Sequence, residues 1–195
     1  MLFIRFAGVI IICVYKDEGC IMSLVLSVSG SSGADTRLSD EVLLLAERLG
    51  EEIAMHNAVL LTGGKGGMMR AACKGAKSKD GTTIGILPFS KNEANEFVDI
   101  ILPSNMGYGR NRLVVSMADA VIAIAGRWGT LNEISEALMV GKPLVFLLGC
   151  DGVVDRLSRS DIISDEEVFV DYASSPKDAV RSALELIRIK NETKD

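Results

Sequence analysis

The chain has 195 residues, 48% of them apolar, and a net charge of -5 with its lysines and arginines scattered. That length suits one complete hydrophobic core, and no composition shift offers a place to divide it. The acidic balance, without any basic cluster, argues against a nucleic-acid or membrane partner and points to a small molecule.

Met1 to Tyr15 is apolar apart from Arg5 and then meets Lys16-Asp17-Glu18. This stretch is too short to span a bilayer comfortably and lacks a small-residue cleavage site. Met22 directly precedes the first strand of a regular pattern, so residues 1–21 are expected to lie outside the fold and residues 22–195 to form the domain. A membrane-associating segment and an extra edge strand are the alternatives.

From there the elements follow one another closely. Ser23 to Ser29 reads as a strand ending in Gly30-Ser31-Ser32-Gly33, and Ser39 can cap a helix with Val42, Leu45, Leu49 and Ile53 on its apolar face. Ala58 to Leu61 is a second strand, running into Thr62-Gly63-Gly64-Lys65-Gly66-Gly67 and a helix from Met68 to Lys77. Thr83 to Leu87 and Val98 to Leu102 are strands; Asn111 to Met117 is a short helix. The strand Ala120 to Ala125 leads into Gly126-Arg127-Trp128-Gly129-Thr130 and a helix from Leu131 to Val140, which Gly141 and Pro143 end. Leu144 to Leu148 is a further strand, and Ser175-Pro176 opens a last helix with Val180, Ala183, Leu184 and Ile187 inward. Apolar strands alternating with amphipathic helices predict an α/β fold, a parallel sheet covered on both faces.

Cys13, Cys20, Cys73 and Cys150 show no CxxC spacing, and His56 is the sole histidine, so neither a disulfide frame nor a metal site is expected; the thiols suit a reducing cytoplasm. His56, beside Asn57 at a helix end, reads as a cap or surface residue. In a parallel sheet the turns after the strands gather on one edge, where ligands bind. The glycine clusters at Gly30 to Gly33, Gly63 to Gly67 and Gly126 to Gly129 would all lie there, and a strand-to-helix turn presents unpaired N–H groups to an anion. Each cluster alone could equally be a tight turn. GxGxxG fails at Met69, and no GxxxxGK[ST] occurs, which favours a monophosphate over a dinucleotide or triphosphate.

Thr62-Gly63-Gly64-Lys65-Gly66-Gly67-Met68-Met69, Thr83 to Pro88, Arg110-Asn111 and Ala125-Gly126-Arg127-Trp128-Gly129-Thr130-Leu131-Asn132-Glu133 together resemble the LOG proteins, the Rossmann-like group once labelled "lysine decarboxylase". The similarity runs from about Leu26 to Leu148 and is greatest to the branch related to molybdenum cofactor carrier proteins, with DprA more distant. It implies a single-domain Rossmann-like fold, a homodimer, and either cleavage of the N-glycosidic bond of nucleoside 5'-monophosphates or carriage of molybdenum cofactor or another phosphorylated molecule. By the resemblance, Arg110 and Glu133 are the catalytic pair, and Gly63, Gly64, Gly67, Gly126, Gly129 and Thr130 bind phosphate. Gly30, Ser31, Gly66 and Arg127 join the candidate ligand-binding set from their places on the same turns. No cofactor is expected. Lysine decarboxylation is not, since no Schiff-base lysine with an acidic ring partner is visible.

The chain departs from the family's GGGxxGxM and PGGxGTxxE motifs at Thr62, Ala125 and Arg127, and Arg70 stands where a glycine often follows. Arg127 can grip a phosphate or fill the space a ribose needs. Glu133 beneath an anomeric carbon would oppose the positive charge that builds there during cleavage. Thr130-Leu131-Asn132-Glu133 is also a capping-box pattern, in which Glu133 merely closes a helix start. Arg110 and Lys65 have the alternative of plain surface charge, and Trp128 either covers the ligand's base or packs inside.

Overall fold

The structure is a computed structural model that describes residues 2–6, 9–16, 19–32, 38–163 and 169–193, with the backbone alone up to residue 22. Gly33 and the side chains of Cys13 and Cys20 lie outside the described residues. Strands β1 (Leu2–Phe6), β2 (Val9–Lys16) and β3 (Gly19–Met22) pair in an antiparallel sheet of their own, Cys13 standing opposite Leu2 on one side and Met22 on the other. None of them extends the main sheet, so the edge-strand alternative is not what forms.

The main sheet has seven strands: β4 (Val25–Ser29), β5 (Val59–Thr62), β6 (Thr83–Leu87), β7 (Ile100–Pro103), β8 (Ala120–Ile124), β9 (Leu144–Leu147) and β10 (Val170–Ala173). Their order is β10-β9-β8-β4-β5-β6-β7, and every neighbouring pair is parallel. The helices are α1 (Asp40–Met55), α2 (Met68–Ser78), α3 (Arg110–Ser116), α4 (Trp128–Met139), α5 (Gly152–Leu157) and α6 (Pro176–Glu192). This is the single α/β Rossmann-like layout expected from the alternating pattern.

Strand side chains alternate between the two faces of the sheet and fill three clusters. Leu26, Val28, Ile122, Ile124 and Val145 pack with α1, α2 and α6, whereas Val121, Ala123 and Phe146 pack with α4 and α5, and Val25, Leu61 and Ile84 with α3. Burial on both faces explains why the strands read as continuous apolar runs. Leu49 and Ile53 of the predicted α1 face are fully buried, and Val42 and Leu45 pack partly buried against them. Helices α1 and α2 approach so closely that a Cβ on Gly50 would come within 1.9 Å of the Ala72 carbonyl, and one on Gly75 within 1.8 Å of the Glu47 carbonyl.

Helix ends follow their local chemistry. Ser39 and Ser175 cap α1 and α6 by accepting from Val42 N and Asp178 N. Gly141 at φ +58 closes α4, with Gly141 N donating to Leu138 O at 3.0 Å and Lys142 N to Ala137 O at 2.8 Å. His56 is the α1 C-cap, its Nδ1 2.9 Å from Glu52 O. In the α/β domain one helix and one sheet strand escaped the sequence reading: α5 is a six-residue helix opened by a glycine, and β10 buries Ala173 alone of its four residues. Neither carries a periodic apolar pattern.

Candidate functional site

The chain winds outward from β4 in both directions, through β5, β6 and β7 on one side and β8, β9 and β10 on the other. The boundary between β4 and β8 is therefore the topological switch point, and the crevice beyond its carboxyl ends is the place for a ligand. The turns after β4, β5, β8 and β9 converge there.

The turn after β5 is closed by its own neighbours. Thr62 Oγ1, at the position of the family motif's first glycine, accepts from Gly64 N at 3.0 Å. Asn95 Nδ2 donates to Gly64 O at 3.0 Å and Lys65 O at 2.9 Å, and Lys65 Nζ pairs with Glu93 at 2.8 Å. Met68 N, the first N–H of α2, donates to Ser31 O at 3.1 Å. Arg110 Nη1 donates to both Gly63 O and Ile86 O, tying α3 to this turn. Burial lowers the Arg110 guanidinium from its ordinary value, against Glu133, Glu93 and Tyr108, whose charges raise it.

The turn after β8 is built differently. Ala125 and Gly126 have φ of +50 and +84, so Ala125 adopts a backbone angle closed to the proline of the family motif. Their carbonyls accept from Val154 N and Val153 N of α5, each at 3.0 Å. Gly126 leaves room for Thr130, whose side chain would lie 2.4 Å from a Cβ there. Arg127 is the N-cap of α4 and makes no side-chain capping bond, so the N–H groups of Trp128, Gly129 and Thr130 open the helix without a side-chain cap. Thr130 Oγ1 is buried and has no hydrogen-bond partner among the described residues.

Because α4 begins at Trp128, Thr130 and Glu133 lie inside the helix, and the capping-box alternative is overturned. Glu133 reaches across to β4 instead, accepting from the Ser29 hydroxyl. Burial pushes its carboxyl up to about 7, although the Ser29 hydrogen bond and the Arg110 charge both act to lower it. Trp128 is 79% exposed, which removes the buried-packing alternative.

Gly30, Ser31, Gly63, Arg110, Arg127, Gly129, Thr130 and Glu133 line one cleft of about 200 Å³. Gly126 faces the neighbouring clefts by α5, and Gly64, Gly66 and Gly67 line none of these. Residues that the sequence reading did not assign to the site also line it or support it. Asn111 is buried and donates to Asn132 at 2.9 Å, and Ser29 holds Glu133. Ser29 ends an ordinary apolar strand, and no local pattern marks it. Arg127, Gly129, Asn111 and Tyr108 continue into a wider cleft of about 930 Å³ that also contains Met106, Trp128 and Asn132. Among the described residues no helix is long and apolar enough to cross a membrane, and no group of three acidic, histidine or cysteine side chains could hold a metal ion.

Known proteins are similar to this chain. An uncharacterized protein of Archaeoglobus fulgidus is 44% identical over 108 residues, 55% of this chain and 72% of that protein. The molybdenum cofactor binding protein from Rippkaea orientalis superposes with a TM-score of 0.72 at 34% identity, covering 85% of this chain and 96% of that one. The molybdenum cofactor carrier protein of Chlamydomonas reinhardtii gives 0.72 at 33% identity, over 85% and 99%. DNA processing protein A from Helicobacter pylori shares the fold alone, with a TM-score of 0.59 at 20% identity over 83% and 80%. Residues 23–180 match the family model that covers the crevice and both glycine turns, and the chain belongs to the SLOG cluster4 family.

Proposed function

We propose that the chain binds a phosphorylated small molecule in the crevice and holds it intact, as a carrier, with the pterin phosphate of molybdenum cofactor as the leading cargo. The observation that carries this reading is the start of α4: a helix N-terminus without a side-chain cap, a buried Thr130 hydroxyl lacking a partner among the described residues, and Arg127 on the same cleft. An anion there would satisfy the helix N-terminus and the Thr130 hydroxyl and would lie on the cleft that Arg127 also lines. The likeness to proteins named for binding and carrying molybdenum cofactor supports it. So does Arg110, whose Nη1 is committed to two backbone carbonyls.

A second reading, phosphoribohydrolase, is favoured by Glu133, which lines the cleft with a carboxyl raised to about 7, suited to moving a proton near neutrality. Incubation with AMP and related monophosphates separates the two. The carrier reading expects binding with the nucleotide recovered unchanged. Release of free base, abolished in Glu133→Gln with affinity retained, establishes the hydrolase instead.

The same reading takes residues 22–195 as the functional unit, because the family match begins at residue 23 and β1 to β3 form a separate sheet. Removing residues 1–21 is expected to leave melting temperature and ligand affinity unchanged. It also takes the protein as a cytoplasmic homodimer, without a nucleic-acid or membrane partner. A monomeric mass by light scattering at micromolar concentration would refute the dimer.

A further inference from the structure

We infer that Glu133 shares one proton with the bound anion, so that the crevice selects anions able to carry a proton, such as phosphates, over a fully ionised one such as sulfate. This rests on the reading of the crevice as a phosphate site. Glu133 is the one acidic side chain among the described residues that line the cleft. It follows Thr130 by three positions on α4, which sets their Cβ atoms about 5 to 6 Å apart on one helix face. An anion that bonds the Thr130 hydroxyl therefore stands close to this carboxyl. Ser29 donates to Glu133 Oε2, and no hydrogen bond engages Oε1 among the described residues, which leaves that oxygen for the ligand.

Two negative groups confined together favour the state in which one of them holds a proton. The positive charges on this cleft are Arg110 at the start of α3, whose Nη1 is committed to two backbone carbonyls, and Arg127 at the start of α4. The other walls carry no charge: β4 supplies the Ser29 hydroxyl, its turn and that of β5 supply glycines and serines, α2 supplies Met69, and the 3-10 turn Gly107–Gly109 supplies the Tyr108 phenol. Burial already pushes the Glu133 carboxyl up to about 7, and an arriving anion acts in the same direction. The shared proton then lies between Oε1 and a ligand oxygen, in a charge-assisted O–H···O bond. Hydrogen phosphate brings that proton as its own hydroxyl and donates it to Oε1. A phosphate monoester, which loses its last proton at about pH 6, takes one up from water on binding. Sulfate has none to bring, so it binds only after water has protonated Glu133.

The full chain is titrated calorimetrically with inorganic phosphate and with sulfate, dianions of similar size, from about pH 6 to about pH 9. Sulfate affinity is expected to fall about tenfold per pH unit above about 7 while phosphate affinity changes little, so that phosphate leads by about a hundredfold at the alkaline end. Glu133→Gln, whose amide donates without titrating, should bind the two ions alike at every pH. A proton count on the unaltered chain needs no variant: AMP titrated at about pH 8 in buffers of different ionisation enthalpy should take up about one proton per molecule bound, and inorganic phosphate close to none. Sulfate and phosphate binding alike across the range, with no proton uptake on AMP binding, overturns the inference and leaves the phosphate reading standing. A Glu133→Gln chain that keeps the wild-type fall in sulfate affinity places the proton on another group and also overturns it. If neither ion nor AMP binds at any pH, the phosphate reading itself fails, and the inference with it.

Discussion

The two glycine turns look alike in sequence and do different work in the fold. After β5, the turn is sealed by Thr62, Asn95, the Lys65–Glu93 pair and Arg110, and the first N–H of α2 is taken by Ser31. After β8, the bonds come from behind, through α5, while the opening of α4 faces the cleft with Thr130 unsatisfied. Glycine allows both outcomes, because it permits tight turns and close anion approach alike. What separates them is the set of side chains that reach the turn from elsewhere in the chain.

The acidic groups nearest the two turns make the sharpest contrast. Glu93 is held below the usual carboxylate range, chiefly by its bond from Lys65, whereas burial raises Glu133 to about 7. A raised value means that the folded chain keeps a proton the unfolded chain has already lost. The contribution of Glu133 to stability is then fully present below the ordinary 4.5 and is lost as pH rises from there toward about 7, by an amount on the order of 3 kcal/mol. Glu133→Gln should remove this slope and raise the melting temperature at pH 8. Denaturation across that window checks it, and a variant with the wild-type slope would place the titration elsewhere.

Next in size is the support behind the β8 turn. Gly152 has φ +88, and a Cβ there would lie 2.6 Å from the Ala125 carbonyl carbon. Gly152→Ala should push α5 away and cost roughly 1 to 3 kcal/mol, with weaker phosphate binding as the turn loses its two bonds. Urea denaturation and a phosphate titration on the same variant test both effects. Unchanged affinity alongside lost stability would show that α5 supports the fold without shaping the site.

The architecture and most elements were legible because strands buried on both faces leave continuous apolar runs and helices leave stripes, as with Leu49 and Ile53. The start of α4 was misjudged by three residues, since Trp128-Gly129-Thr130 carries no apolar stripe and its N-cap, Arg127, makes no side-chain capping bond. Glu133 and Arg110 were visible as candidates through the motif, but their contacts were not. Ser29 and Glu133 are separated by 104 positions, and Arg110 reaches Gly63 across 47. Such pairings depend on strand order, which local sequence does not contain. Gly152 and Asn95 were missed for the same reason: each supports a turn that belongs to another segment.

The smallest effects compare the two turns directly through their cations. Arg127 lines the crevice at the α4 opening, whereas Lys65 is paired with Glu93 over the other turn. If the anion sits at α4, Arg127→Ala removes a charge-assisted contact and should weaken inorganic phosphate or AMP by about 1.5 to 3 kcal/mol, roughly tenfold to a hundredfold. Lys65→Ala should leave affinity within error, because its partner is a protein carboxylate, Glu93, rather than the ligand. Asn95→Ala lies between: it takes away two donors to the Gly64 and Lys65 carbonyls, so about 1 kcal/mol of stability should be lost at unchanged affinity. Calorimetric titration of the three variants orders them. Equal loss of affinity in Lys65→Ala and Arg127→Ala would mean that both turns grip the ligand. Tighter binding in Arg127→Ala would mean that the arginine fills the space a ligand needs, and the phosphate would then rest on the N–H groups and Thr130 alone.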